Sequence, residues 1–121
     1  MASVLKVDSI GKTSGKTQDT MSGLAKSWID LDGSGTMETR DSFNVDSTTD
    51  NGAGSYSPTF TNNMGSANYS TPSTVGNLDD AGALIMGVVT KTTSTYRVDS
   101  ESSSSNNDAD RVDVTVFGDL A

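Results

Sequence analysis

Val112-Asp113-Val114-Thr115-Val116 alternates apolar and polar residues without a break. Period-two alternation puts the three valines on one face of an extended strand and Asp113 and Thr115 on the other. Branching at Cβ also makes valine a better fit to a pleated strand than to a helix. The stretch therefore predicts a half-buried strand. It implies a sheet whose other strands carry the same signature.

Working outward, that signature recurs. Phe43 and Val45 alternate with Ser42, Asn44 and Asp46, and Tyr56, Pro58 and Phe60 alternate with Ser57, Thr59 and Thr61. Between them Asp50-Asn51-Gly52-Ala53-Gly54 is a strong turn signal, because Asn-Gly readily supplies positive φ. Pro58 predicts an edge or bulged strand, since it cannot donate to a ladder. Residues 23–32 carry Trp28, Ile29 and Leu31 and break at Gly33-Ser34-Gly35. Residues 62–68 read as a turn, after which Tyr69 begins another short strand. Residues 83–90 form the most continuous apolar run, with Leu84, Ile85, Met86, Val88 and Val89, and predict a buried strand. Tyr96 and Val98 extend the theme, while residues 101–110 are rich in Ser, Asn and Asp and read as an exposed loop.

About seven short strands and no helical period predict an all-β fold, a small antiparallel β-sandwich of jelly-roll-like type. A short extended N-terminal segment precedes it. Residues 4–10, Val-Leu-Lys-Val-Asp-Ser-Ile, look strand-like, and residues 11–22 are almost devoid of apolar side chains. The expected organisation is an anchoring peptide and linker over 1–22 and a sandwich domain over 23–121.

Composition narrows the function. Only 32% of the 121 residues are hydrophobic, below the roughly 45–50% usual for globular chains. A chain so poor in apolar residues can gain stability by burying surface against copies of itself. The net charge of −8, from 16 acidic and 8 basic residues, repels phosphate backbones and argues against nucleic acid. No apolar run approaches the ~20 residues of a membrane span, so no membrane insertion is expected. Cysteine and histidine are absent. Disulfides, thiolate nucleophiles and Ser–His or Cys–His pairs are thereby removed, together with the commonest general base and transition-metal ligand. No cofactor and no enzymatic activity are expected.

Two stretches carry a family resemblance. The opening Leu5-Lys6-Val7-Asp8-Ser9-Ile10 resembles a start common in bacteriophage tail-fibre and tail-associated proteins, especially those of marine phages. Gly23-Leu24-Ala25-Lys26-Ser27-Trp28 begins the second, which continues through Gly33-Ser34-Gly35-Thr36, Arg40-Asp41-Ser42-Phe43-Asn44-Val45 and Asp50-Asn51-Gly52. It ends with Tyr56, Phe60, Met64 and Ala67-Asn68-Tyr69, and this order is similar to a domain at the distal ends of tail fibres. Residues 112–118 fit its closing strand. The resemblance implies a homotrimeric β-structured fibre or knob, contacts to other phage structural proteins, and a role in host attachment. It places the chain in the virion, on the tail or outer surface, after assembly in the host cytoplasm. Virion anchoring falls to Leu5, Lys6, Val7, Asp8 and Ile10. The tether is short where fibre chains usually carry a long shaft, which leaves room for a short fibre, a tail adaptor or a capsid decoration (cement) protein.

Several residues invite a chemical reading. Residues 30–41 match a twelve-residue calcium loop, with Asp30, Asp32 and Ser34 at positions 1, 3 and 5, Gly35 at the sharp turn, Thr36 at 7, Glu38 at 9 and Asp41 at 12. Asp in place of a bidentate Glu at the last position, and β-like flanks, favour a plain hairpin turn over a metal site. Trp28, Phe43, Phe60, Val114 and Val116 are expected in the core or at a subunit interface. Tyr56, Tyr69 and Tyr96 are the expected contacts to a host surface glycan or protein. A function of another class, a carbohydrate-binding module, would need an exposed aromatic platform. A glycan-degrading enzyme would need paired carboxylates, and Asp30 and Asp32 share one face of a strand, but nothing in the sequence supplies a pocket around them.

Overall fold

The computed structural model describes residue 3 and residues 23–77, 84–102 and 105–121. The expected anchor and linker, including Leu5, Lys6, Val7, Asp8 and Ile10, lie outside the described residues. Nine strands are described: β1 (Ala25–Asp32), β2 (Glu38–Phe43), β3 (Val45–Gly52), β4 (Ser55–Phe60), β5 (Ser73–Gly76), β6 (Ile85–Lys91), β7 (Tyr96–Ser102), β8 (Ser105–Asn106) and β9 (Arg111–Phe117). They form two antiparallel sheets packed as a sandwich, in the orders β2-β1-β9-β5 and β3-β4-β7-β6, with β8 paired to the end of β7. No helix occurs among the described residues. The expected all-β sandwich is the fold.

Alternation decides which side chains enter the core. In β9 Val112, Val114 and Val116 are buried and the residues between them face outward. Antiparallel pairing sets Ile29 opposite Val114 and Leu31 opposite Val112, so β1 turns the same face inward. The second sheet supplies Tyr56, Phe60, Tyr96 and Val98, and the crossover between β4 and β5 adds Met64 and Tyr69. Phe60 packs against Tyr96 at 5.5 Å and edge-on against Tyr69 at 5.6 Å between ring centroids. Burying one such side chain contributes roughly 1.5–3 kcal/mol of transfer free energy.

The tyrosines correct an expectation. Tyr56, Tyr69 and Tyr96, read as receptor contacts, are 0%, 3% and 0% exposed. Each sits at an inward position where its ring fills the core of a chain short of aliphatic residues. Two phenols find polar partners at the margin: Tyr69 donates to the Thr92 carbonyl at 2.9 Å and Tyr56 to Asp108 Oδ1 at 3.3 Å.

β2 and β3 are separated by Asn44 alone, which has a positive φ of 56°. Its amide donates to the carbonyls of Lys26 (2.9 Å) and Asn62 (3.1 Å), and its Oδ1 accepts from the Asn62 amide at 2.7 Å. One extended stretch thus leaves the first sheet and enters the second at a side-chain clamp. Glycines set the following turn, with φ of 116° at Gly52 and 63° at Gly54.

Three further expectations change. β4 is an internal strand despite Pro58. Its pairing with β7 covers Ser55–Asp99 and Tyr56–Val98, lapses, and resumes as a single bridge between Thr59 and Thr95, so the missing proline N–H falls in the gap. The apolar run 83–90 is not a buried strand. β6 is the edge of its sheet, with Ile85 69%, Val88 41% and Val89 49% exposed. Residues 101–110 are more than a loop, because β8 pairs back on β7, Asn107 donates to the Ser100 carbonyl at 2.9 Å, and Ala109 is fully buried.

Candidate functional site

The inward alternation of β1 leaves Trp28, Asp30 and Asp32 on the outer face of the four-stranded sheet. Pairing then fixes their neighbours. Trp28 lies between Phe43 of β2 and Thr115 of β9, and Asp30 lies between Asp41 and Asp113. The register of β1 against β2 shifts between Asp30 and Leu31, which leaves Arg40 as an extra residue. Bulges commonly re-aim a side chain in this way. Arg40 reaches Asp32 Oδ2 at 2.7 Å and Asp30 Oδ1 at 3.4 Å.

Asp30, Arg40, Arg111 and Asp113 line a cavity of about 270 Å³ on this face. A second hollow of about 210 Å³, lined by Pro72, Ser73, Thr74, Asp113 and Thr115, adjoins it through the shared Asp113. Together they mark a shallow groove crossing all four strands. Partial burial raises the Asp113 pKa, and the nearby Asp30 charge pushes the same way, against the opposing pull of Arg111 and Arg40. Asp32 behaves oppositely. The Ser34 hydroxyl and amide both donate to its Oδ1, at 2.6 and 2.9 Å, and with Arg40 they hold its pKa below the ordinary value.

These contacts place the calcium-loop residues. Asp32 and Ser34 form the turn of the β1–β2 hairpin, Glu38 pairs across from Asp32, and Asp41 Oδ1 accepts from the Ser42 amide at 2.8 Å. The Arg40 guanidinium stands between Asp30 and Asp32. Among the described residues no three acidic side chains converge as a metal cage. Of the residues expected in the core or at an interface, Phe60, Val114 and Val116 are core. Trp28 is half-buried on the outer face, and Phe43 beside it is 54% exposed.

A second polar cluster lies on the outer face of the other sheet. Asp99, only 6% exposed, accepts from Ser55 Oγ at 2.7 Å and from Arg97 through two nitrogens at 2.9 Å. Burial works against its ionisation, but the hydrogen bonds from Arg97, Ser55 and Asn106 outweigh that and lower its pKa. With every oxygen engaged, the cluster is a structural pin.

Sequence reasoning missed Arg40, Arg111, Asp113 and Thr115 as groove residues. The alternation Arg111, Asp113, Thr115 was visible at i, i+2 and i+4 and marks one face. The bulge that brings Arg40 in has no such signal. No protein-family model, curated protein or solved structure matches this chain.

Proposed function

We propose that the chain is a non-enzymatic structural protein of a bacteriophage particle, of tail-fibre type, that works as a homotrimer and contributes to host attachment. The N-terminal segment, through Leu5, Lys6, Val7, Asp8 and Ile10, holds it to the tail. The family assignment rests on the resemblance of residues 5–10 and 23–69. The observation that carries the oligomer is β6. Among the described residues it pairs only with β7 and ends its sheet, and it exposes Ile85, Val88 and Val89 along seven residues. An apolar, unpaired edge is a template for another chain, and soluble proteins cover or charge such edges. A second copy covers this one and supplies the burial that a 32% hydrophobic composition leaves short.

Light scattering on the purified chain tests the reading. We expect a mass of three protomers, falling to one when Ile85, Val88 and Val89 are replaced by Ser, Thr and Thr, with the β-sheet circular dichroism retained. A wild-type chain that stays monomeric at all concentrations overturns it. Antibody labelling of particles then separates tail from head, and label over the head shell favours the decoration-protein alternative.

A further inference from the structure

We propose that the groove across the outer face of the four-stranded sheet binds a neutral oligosaccharide, with Trp28 flanking it beside Thr115. The inference deepens the attachment part of the reading above and rests on that reading only for its biological setting.

Three features carry it. The first is shape. The two adjoining hollows run from Arg40 on β2, past Asp30 on β1 and Arg111 and Asp113 on β9, to Ser73 and Thr74 on β5. Four strands span roughly 15 Å, room for a short linear oligosaccharide lying across the sheet.

The second is the chemistry of the lining. Asp30 and Asp113 only accept hydrogen bonds, Arg40 and Arg111 only donate them in planar forks, and the hydroxyls of Ser73, Thr74 and Thr115 do both. A sugar hydroxyl is likewise donor and acceptor, so vicinal diols match this alternation. An anionic ligand would meet two carboxylates and a cation two guanidiniums, which selects a neutral polyhydroxylated ligand. Arg111 lines the larger cavity beside Asp113, on whose carboxyl its charge acts.

The third is an aromatic neighbour. Trp28 stands one outward position from Asp30 on the same strand, directly between Thr115 and the exposed Phe43. An indole offers a flat apolar body beside polar groups, the surface that the C–H face of a pyranose ring stacks on.

Trp28 is the only tryptophan in the chain and pairs across from Thr115 of the groove lining, so its fluorescence reports on a position beside the groove. The experiment titrates the full chain with neutral tetrasaccharides of glucose, galactose and mannose up to millimolar concentration. We expect a saturable change in Trp28 emission with at least one of them. Arg111→Ala should weaken that binding about tenfold or more, and Asp113→Asn should weaken it as well, with unchanged melting temperatures because both side chains are exposed. No saturable change with any tetrasaccharide overturns the inference, as does full affinity in Arg111→Ala. Binding confined to a sulfated heparin oligosaccharide also overturns it, since that would mark an anion site. Light scattering on the same samples keeps the two readings apart: a monomer that still binds sinks the fibre assembly and leaves the groove, and a trimer that binds nothing does the reverse.

Discussion

Gly54 has a φ of 63°, and a Cβ there would lie 2.5–2.7 Å from Asn107 O, Ser100 O and Asn107 N. These are backbone atoms of the β7–β8 hairpin and cannot swing aside. Gly54→Ala should therefore combine left-handed strain with overpacking and cost about 3 kcal/mol, read as a drop in the urea midpoint. The run Asp50-Asn51-Gly52-Ala53-Gly54 announced the turn in advance. Its reliance on a hairpin near residue 100 was invisible, because nothing local encodes that approach. Asp99 gives a pH prediction. Its folded pKa is lowered, so its contribution is fully present above the ordinary carboxylate value of about 3.8 and is lost as pH falls through the folded pKa. Asp99→Asn should lose about 2–3 kcal/mol at neutral pH and flatten the acid limb of the stability curve. Denaturant melts at stepped pH check both. Asp113 has the opposite sign: its raised pKa means the carboxylate is disfavoured in the fold. Asp113→Asn should be neutral or mildly stabilising at pH 7, within about 0.5 kcal/mol.

Among the elements, the β2–β3 junction depends on one side chain. Asn44 tolerates positive φ better than most residues and uses both its amide atoms to tie Lys26 and Asn62 together. Asn44→Gly relieves the backbone but loses the clamp, and should cost about 1–2 kcal/mol. Asn44→Ala should cost about 1 kcal/mol more, because alanine adds left-handed strain. The order Asn44→Ala below Asn44→Gly below wild type in thermal melts is the check. The sequence showed Phe43 and Val45 flanking a strand here but not that the strand changes sheets, since the alternation runs through the junction almost undisturbed. β6 was misread for a related reason. A continuous apolar run marks a strand that two faces could bury, but whether neighbours flank it depends on strand order, and here β6 falls at an edge.

At the scale of the whole molecule, all three tyrosines share one response to alkali. Burial pushes the Tyr69 pKa up to about 12 and raises Tyr56 and Tyr96 too, with the Asp108 charge adding to the rise at Tyr56. A folded pKa above the ordinary phenol value of about 10 stabilises the protein fully below that pH and is lost as pH rises through the folded value. The chain should stay folded past pH 10 and unfold cooperatively as pH climbs through about 12, with phenolate absorbance and loss of circular dichroism coinciding. Phenolate signal appearing near pH 10 without unfolding would contradict the burial of these rings.

The amino-acid sequence alone fixed the fold class and the inward face of β9, because the period-two alternation of Val112, Val114 and Val116 is local, whereas at β1 it left the outward Trp28 among the core candidates. It also determined that histidine and cysteine chemistry is absent. Only the tertiary structure decided strand order, the burial of the tyrosines, the exposed edge of β6 and the groove of Asp30, Arg40, Arg111 and Asp113. Each of these depends on which distant strands lie side by side. That is settled by the packing of two sheets around one aromatic core, a long-range free energy that no single stretch of the chain records.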